Sequence, residues 1–293
     1  MVMINMINSE EDIKKIENSS ELLDLRIDSN SKDLVKALGE KLNGCSSLKK
    51  LTLRGFNSEN IKQLIVENLK ELEIYGTKEE SNQNPKIGLN GAKAIAENLK
   101  NLTYLNLSYH NITDDGAKAI AENLKNLTSL NLSINNITDV GAKAIAENLK
   151  NLTSLNLSFN NITDVGAEAI ATNLTNLTSL NVYSNQITIN GVKKIFNLEK
   201  LKVLDIGFNK IDEKNDEFFN DKKFKFDKFM CDQGRGTYLN YIKTDGRRKS
   251  KKRQSSKRKS KRRSKKRQSS KRKSKKRQSS NRRKSSKRKK SRK

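Results

Sequence analysis

The chain is poor in the residues from which most reactive sites are built. It has no tryptophan, one proline (Pro85), one histidine (His110) and two cysteines, Cys45 and Cys231, far apart in sequence. Two lone thiols offer no disulfide framework, and a single imidazole offers no clustered zinc pattern. No stretch approaches the roughly 18 apolar residues of a membrane-spanning helix. Residues 1–7 are apolar but broken by Asn5, and they run into Glu10, Glu11 and Asp12. A signal peptide wants a basic start and a longer apolar run, so none is predicted and an intracellular protein is expected. No glycine loop has phosphate-binding spacing, and neither cysteine has the setting of an activated nucleophile. These gaps predict a protein without catalytic residues, cofactor or metal.

Acidic residues are missing from one region altogether. Of the 47 residues 247–293, 30 are Lys or Arg and none is Asp or Glu. The whole chain has 61 basic and 33 acidic residues, so residues 1–246 keep 31 and 33 of them, a net of −2 beside +30. The remainder of the basic segment is Ser, Gln and one Asn, with the phrase KKRQSSKRKS at Lys251 and again at Lys265. With no apolar side chain to offset the entropy of ordering, this tail is predicted to be disordered. Lys251, Lys252, Arg253, Lys257, Arg258, Lys259, Lys265, Lys266 and Arg267 are its representative polyanion contacts. Nucleic acid is the leading partner, bound without sequence preference, because the tail has no aromatic to stack and no folded element to enter a groove. Runs of Lys and Arg also read as nuclear import signals, and an anionic membrane surface is a third partner class. The expected location is the nucleus or nucleoid if the tail acts in this way, and otherwise the cytoplasm. Thirteen serines lie among the charges; they serve either as flexible spacers or as phosphorylation sites that would cancel charge.

What fills the rest of the chain is repetition. Residues 101–125 read NLTYLNLSYHNITDDGAKAIAENLK, residues 126–150 read NLTSLNLSINNITDVGAKAIAENLK, and residues 151–175 nearly repeat them, a period of 25. The frame L-x-x-L-x-L starts at Leu102, Leu127, Leu152, Leu177 and Leu201, with looser copies at Leu22, Leu48 and Leu69. About eight units therefore cover residues 20–211. In each, alternating residues such as Leu130 and Leu132 predict a short half-buried strand. Ala142, Ile145, Ala146 and Leu149 then make one apolar stripe of a helix, capped by Thr138 or Asp139. Neither face can be buried alone, so the units must stack into a solenoid. About eight extra residues between Tyr75 and Lys86 read as a loop.

The frame L-x-x-L-x-L-x-x-N-x-I-x-D-x-G-A-x-A-I-A-x-x-L resembles the leucine-rich repeat family. Within it the chain looks like the ribonuclease-inhibitor-like branch, and its G-A-K-A-I-A helix is similar to a short variant of some bacterial effectors. The resemblance implies an α/β solenoid with parallel strands on the concave side and helices on the convex side. It also implies a ladder of asparagine amides between turns, here Asn135, Asn160, Asn185 and Asn209, with Asn30 in the first unit. His110 takes that place in its own unit, while Phe56 and Thr77 occupy it in two early ones.

The same resemblance makes the strand face the docking surface for a protein partner. By alternation its outward residues are Asp24, Arg26 and Asp28, then Lys50, Thr52 and Arg54, then Glu71, Glu73 and Tyr75, followed by a lawn of Ser and Asn. Binding energy concentrates in aromatic and Arg anchors, which singles out Arg54, Tyr75, Tyr104, Tyr109 and Tyr183. Residues 212–246 carry Phe218, Phe219, Phe224, Phe226, Phe229, Tyr238 and Tyr241, and read as a cap over the last unit or as an aromatic groove. The resulting division is an N-terminal cap segment 1–20, a solenoid 21–211, a C-terminal cap 212–246 and a basic tail 247–293, in a monomer. The expected function is a non-enzymatic protein-binding scaffold with a polyanion-binding tail. The alternatives are a nucleic-acid-compacting protein with the solenoid as scaffold, and an effector-type protein acting on host proteins.

Overall fold

The computed structural model describes residues 4–17, 20–27, 32–64, 66–75, 86–211, 218–219, 226–232, 238–244 and 247–250. Its strands are β1 (Ile4–Ile7), β2 (Leu22–Ile27), β3 (Lys50–Arg54), β4 (Glu71–Tyr75), β5 (Tyr104–Asn106), β6 (Ser129–Asn131), β7 (Ser154–Asn156), β8 (Ser179–Asn181), β9 (Val203–Asp205), β10 (Lys228–Asp232), β11 (Tyr238–Thr244) and β12 (Arg247–Ser250). They form one sheet in sequence order. Every pairing from β1 to β10 is parallel, and β11 and β12 return antiparallel. The helices are α1 (Glu10–Lys14), α2 (Lys32–Asn43), α3 (Ser58–Gln63), α4 (Gly88–Asn98), α5 (Thr113–Asn123), α6 (Asp139–Asn148), α7 (Asp164–Asn173) and α8 (Ile189–Ile195). One strand and one helix per turn, with parallel neighbours, is an α/β solenoid.

The unit at 126–150 shows how the sequence makes a turn. Leu127, Leu130, Leu132, Ile137, Ala142, Ile145, Ala146 and Leu149 are all at most 1% exposed. Three come from the strand region and four from the helix and its end, with Ile137 between them, so a single layer of side chains joins the two. The alanines keep the helix close to the sheet, and Lys143 and Glu147 face solvent 3.8 Å apart.

Register differs from the sequence frame in one place. Leu22 pairs with Lys50, Asp24 with Thr52 and Arg26 with Arg54, so the first unit begins two residues before the frame set on Leu22. Leu22 is 54% exposed, whereas Leu23, Leu25 and Ile27 are buried. A strand shifted by two residues keeps the same face inward, so alternation alone does not detect the shift. Asp28, Asn30 and Thr77 lie outside the described residues.

The ends also extend the sheet. β1 and α1 place a strand and helix ahead of the first unit, with Ile7, Ile13 and Ile16 buried. At the other end Phe218, Phe219 and Phe226 gather around Phe196 with ring centroids 5.0–5.9 Å away. The sequence reading assigned no folded element to residues 247–293, yet Arg247–Ser250 are a strand paired with β11. Backbone pairing needs no apolar side chain, which is why composition did not reveal it.

Turn ends inside a solenoid carry buried backbone groups that must find partners. The Asn135 carboxamide supplies them. Its oxygen accepts from the N–H groups of His110 and Ile112, and its nitrogen donates to the carbonyls of Leu107 and Ser133. Asn160 does the same for Asn135 and Ile137, and Asn185 and Asn209 continue the pattern. A second ladder runs along the helix starts. Asp139 accepts from Thr163 N–H (2.8 Å), Thr163 Oγ1 (2.6 Å) and Gly166 N–H (2.9 Å) of the following unit. Asp114 and Asp164 make the corresponding bonds to Thr138 and Thr188. These carboxylates therefore serve the start of the next helix rather than their own; the N-caps of α6 and α7 are Thr138 and Thr163, while α5, the helix of Asp114, has no side-chain cap. Where the carboxylate is missing, at Leu89, Thr113 turns left-handed (φ 60°) and donates to Asn135 O instead. A side chain at Gly166 would meet Asp139 Oδ1 at 2.6 Å, so the glycine leaves room for the carboxylate.

His110 is the exception in the amide ladder. It is fully buried, Nε2 lies 3.0 Å from Ile74 O, and Nδ1 has no partner. Burial disfavours the imidazolium, so its pKa falls to about 4 from 6.5, the bond to Ile74 only partly opposing this.

Two stability experiments follow. Asp139→Ala removes three bonds and strands Gly166 N–H, and is expected to lower unfolding free energy by about 2 kcal/mol; exposed Asp115→Ala should change it little. Urea denaturation measures both. Because the unfolded chain binds a proton at His110 near pH 6.5 and the folded one only near 4, this residue's stabilisation is complete above about 6.5 and is lost on acidification toward 4. The loss is up to roughly 3 kcal/mol. In His110→Asn, which retains a donor to Ile74 O, the fall in stability between pH 6.5 and 5 should flatten.

Candidate interaction face

The five residues singled out from sequence separate into two groups. Arg54, Tyr75 and Tyr104 lie together on β3, β4 and β5. The Arg54 guanidinium donates twice to the Asp24 carboxylate, both at 3.0 Å, and stands 5.0 Å from the centre of the Tyr75 ring. Tyr75 donates to Glu73 Oε2 at 2.6 Å. Lys50 donates to Glu73 Oε1 at 2.7 Å and lies 5.5 Å from the Tyr104 ring centre. Burial raises the Tyr75 pKa and the bond to Glu73 adds to it, taking it to about 12. Burial alone would raise Glu73 too, but the bonds from Lys50 and Tyr75 outweigh it and hold the carboxyl below its ordinary range. The register across β2–β5 assembles this network, since Asp24 pairs with Thr52, Thr52 with Glu73 and Glu73 with Asn106.

Beyond it the strand face is Ser and Asn, and the asparagines are already engaged. Asn106, Asn131, Asn156 and Asn181 each accept from the backbone N–H two residues on, and Asp205 does so from Gly207. These turns hold the strand ends in shape, so much of the polar lawn is structural.

Tyr109 and Tyr183 belong elsewhere, to an apolar row just past the strands. Tyr109 (51% exposed), Ile134 (44%), Phe159 (51%) and Phe208 (44%) occupy the position before the ladder residue in successive units. The unit between Phe159 and Phe208 has Ser184 there, and Tyr183 fills the gap, its ring 5.1 Å from each phenylalanine. All five positions are left-handed, with φ of 66°, 56°, 54°, 54° and 52° from Tyr109 to Phe208. For a non-glycine residue that conformation costs about 1–2 kcal/mol, most noticeably for branched Ile134. Lys86 covers Tyr109, its Nζ 3.2 Å from the ring centre and 2.9 Å from Tyr109 O; burial lowers its pKa.

Sequence reasoning missed Ile134, Phe159 and Phe208. A signal was present: between residues 126–150 and 151–175 the strand region changes at one position only, Ile134 to Phe159, and stays large and apolar. The tail residues Lys251, Lys252, Arg253, Lys257, Arg258, Lys259, Lys265, Lys266 and Arg267 lie outside the described residues. Among the described residues no three His, Cys, Asp or Glu side chains are placed to hold a metal ion, and no helix is long and apolar enough to cross a membrane.

With the 25-residue turn, the strand face and the amide ladder in view, the class of the repeating part is plain: its units are leucine-rich repeats. Leucine-rich repeat family models match residues 98–121, 125–187 and 150–211. Among solved structures the chain is similar to two internalins from Listeria monocytogenes str. 4b F2365. Internalin C2 aligns at 24% identity over 62% of this chain and 77% of that one, with a TM-score of 0.44. Internalin F aligns at 21% identity over 65% of this chain and 62% of that one, with a TM-score of 0.42. A search of curated proteins finds no match.

The Asp24–Arg54 pair is open to a double-mutant cycle. Asp24 is 8% exposed, so Arg54→Ala leaves its carboxylate nearly buried and unpaired. Discounted for the partly exposed guanidinium, a coupling energy of about 1 kcal/mol is expected. Urea denaturation of Asp24→Ala, Arg54→Ala and the double variant provides the measurement, and strictly additive losses would show that the pair contributes nothing.

Proposed function

We propose that the chain is a non-enzymatic scaffold that holds a protein on its concave side and a polyanion, nucleic acid first, on its basic tail. The helices between successive strands, four of them (α4 to α7) with a G-A-x-A-I-A core, support a place in the ribonuclease-inhibitor-like branch. The protein-binding half is carried by the surface row of Tyr109, Ile134, Phe159, Tyr183 and Phe208, beside the anchors Arg54, Tyr75 and Tyr104. The large side chains of Tyr109, Ile134, Phe159 and Phe208, kept in an unfavourable backbone region and left exposed, are better explained by contact with a partner than by stability.

The tail half rests on charge. Thirty Lys and Arg in 47 residues, with no acidic residue, exceed what solubility needs and must collect anions. Each phosphate neutralised contributes about −0.9 to the slope of log affinity against log salt, so ten contacts imply about −9. The same segment supports nuclear or nucleoid targeting.

The two halves separate in one set of measurements. Full-length protein should bind random-sequence duplex DNA and RNA with a steep salt slope and little sequence preference. A full-length variant with Gln for every Lys and Arg of residues 251–293 should lose that binding. If it still binds nucleic acid, the solenoid is the binding element and the compacting-protein reading takes over.

A further inference from the structure

We infer that the apolar row is a docking site for an amphipathic α-helix of a partner protein, laid along the solenoid axis and carrying acidic residues beside its apolar stripe. This rests on the protein-binding reading above and specifies the partner's form.

Spacing separates a helix from an extended chain. In its C-terminal half the row steps at 5.1 Å, measured between the rings of Phe159, Tyr183 and Phe208, and from Tyr109 to Phe159 each step is likewise one parallel-strand spacing. Side chains on one face of an α-helix recur on average once per turn, about 5.4 Å. Over the four steps from Tyr109 to Phe208 the mismatch accumulates to about 1 Å, which rotamers absorb. Same-face side chains of a strand recur about every 6.8 Å, and four steps leave them roughly 7 Å out of phase, a whole side-chain position. The row's length, roughly 20 Å, matches about 14 helical residues.

Charge points to the helix's flanks. The segments around the row are SYHNI, SINNI, SFNNI, YSNQI and GFNKI, and none has Asp or Glu. Lysines stand at both ends. Lys86 lies over Tyr109, and Lys210 follows Phe208 and reaches Gln186 Oε1 at 3.1 Å. Along the far edge are amides, with Asn136 bonded to Asn111 and Gln186 to Asn161. An apolar lane edged by amides and closed by two cations complements an apolar stripe with carboxylates beside it.

The test uses the full chain, with heparin added to occupy the basic tail. A displayed library of helix-forming 14-residue peptides and a matched library of extended peptides are selected against it. Enriched helical sequences with apolar residues at i, i+3 or i+4, i+7 and i+11 and with Asp or Glu beside them are expected. Their affinity should fall about tenfold or more in the Phe159→Ser/Phe208→Ser variant. Serine already occupies the equivalent left-handed position at Ser184 (φ 54°), so folding is expected to survive, and circular dichroism checks it. Enrichment of alternating extended peptides, no enrichment at all, or undiminished binding to the double-serine variant overturns the inference. So does self-association of the wild type that the same variant abolishes, which would make a second copy the occupant. Peptides insensitive to the serines but lost in Arg54→Ala would overturn it while leaving the protein-binding reading intact.

Discussion

A buried peptide group without a hydrogen bond is costly, and a solenoid buries one set of turn ends per repeat. Almost everything in this structure is arranged to meet that constraint across a distance of one unit. The Asn135, Asn160, Asn185 and Asn209 amides serve the turn behind them. The Asp114, Asp139 and Asp164 carboxylates serve the helix ahead. Both work only if the repeat length is constant, which is why the 25-residue period is strict where the two ladders coexist. It loosens toward the N-terminus, where Phe56 occupies a ladder position and is fully buried. Stability here belongs to neighbouring pairs of units more than to any unit alone.

The ladders also create the exposed row. Holding the strand end with one asparagine and the next turn with another forces the residue between them into the left-handed region. Glycine or asparagine would sit there at least cost. Tyr109, Ile134, Phe159 and Phe208 sit there instead, and their side chains are turned to solvent. The N-terminal end of the same sheet is different in kind: Arg54, Asp24, Lys50, Glu73, Tyr75 and Tyr104 satisfy one another. The sheet thus carries a charged, internally paired region and, just past its later strands, an apolar lane.

Charge is segregated from this architecture. The net +28 of the chain is +30 on residues 247–293 and −2 on the remainder. The body is nearly neutral, and the chain's excess of positive charge lies outside it. The basic segment begins with the strand Arg247–Ser250, which pairs with β11.

Period, alternation and the helical stripe were enough to determine the α/β solenoid, because burial of Leu, Ile and Ala at repeating positions is a one-dimensional property of the chain. Segregation of charge was legible for the same reason. Other features depended on distances between units. Alternation has a period of two, so it could not distinguish Leu22 from the position two residues earlier as the start of the first unit. The Asp139 carboxylate looks like a cap for its own helix until its partner, 24 residues on, is brought within 2.8 Å. Tyr75, Tyr104 and Arg54 are far apart in sequence, and only the parallel register makes them one network. The row of Tyr109, Ile134, Phe159, Tyr183 and Phe208 is a set of single residues in sequence; stacking at one unit per strand spacing turns it into a surface.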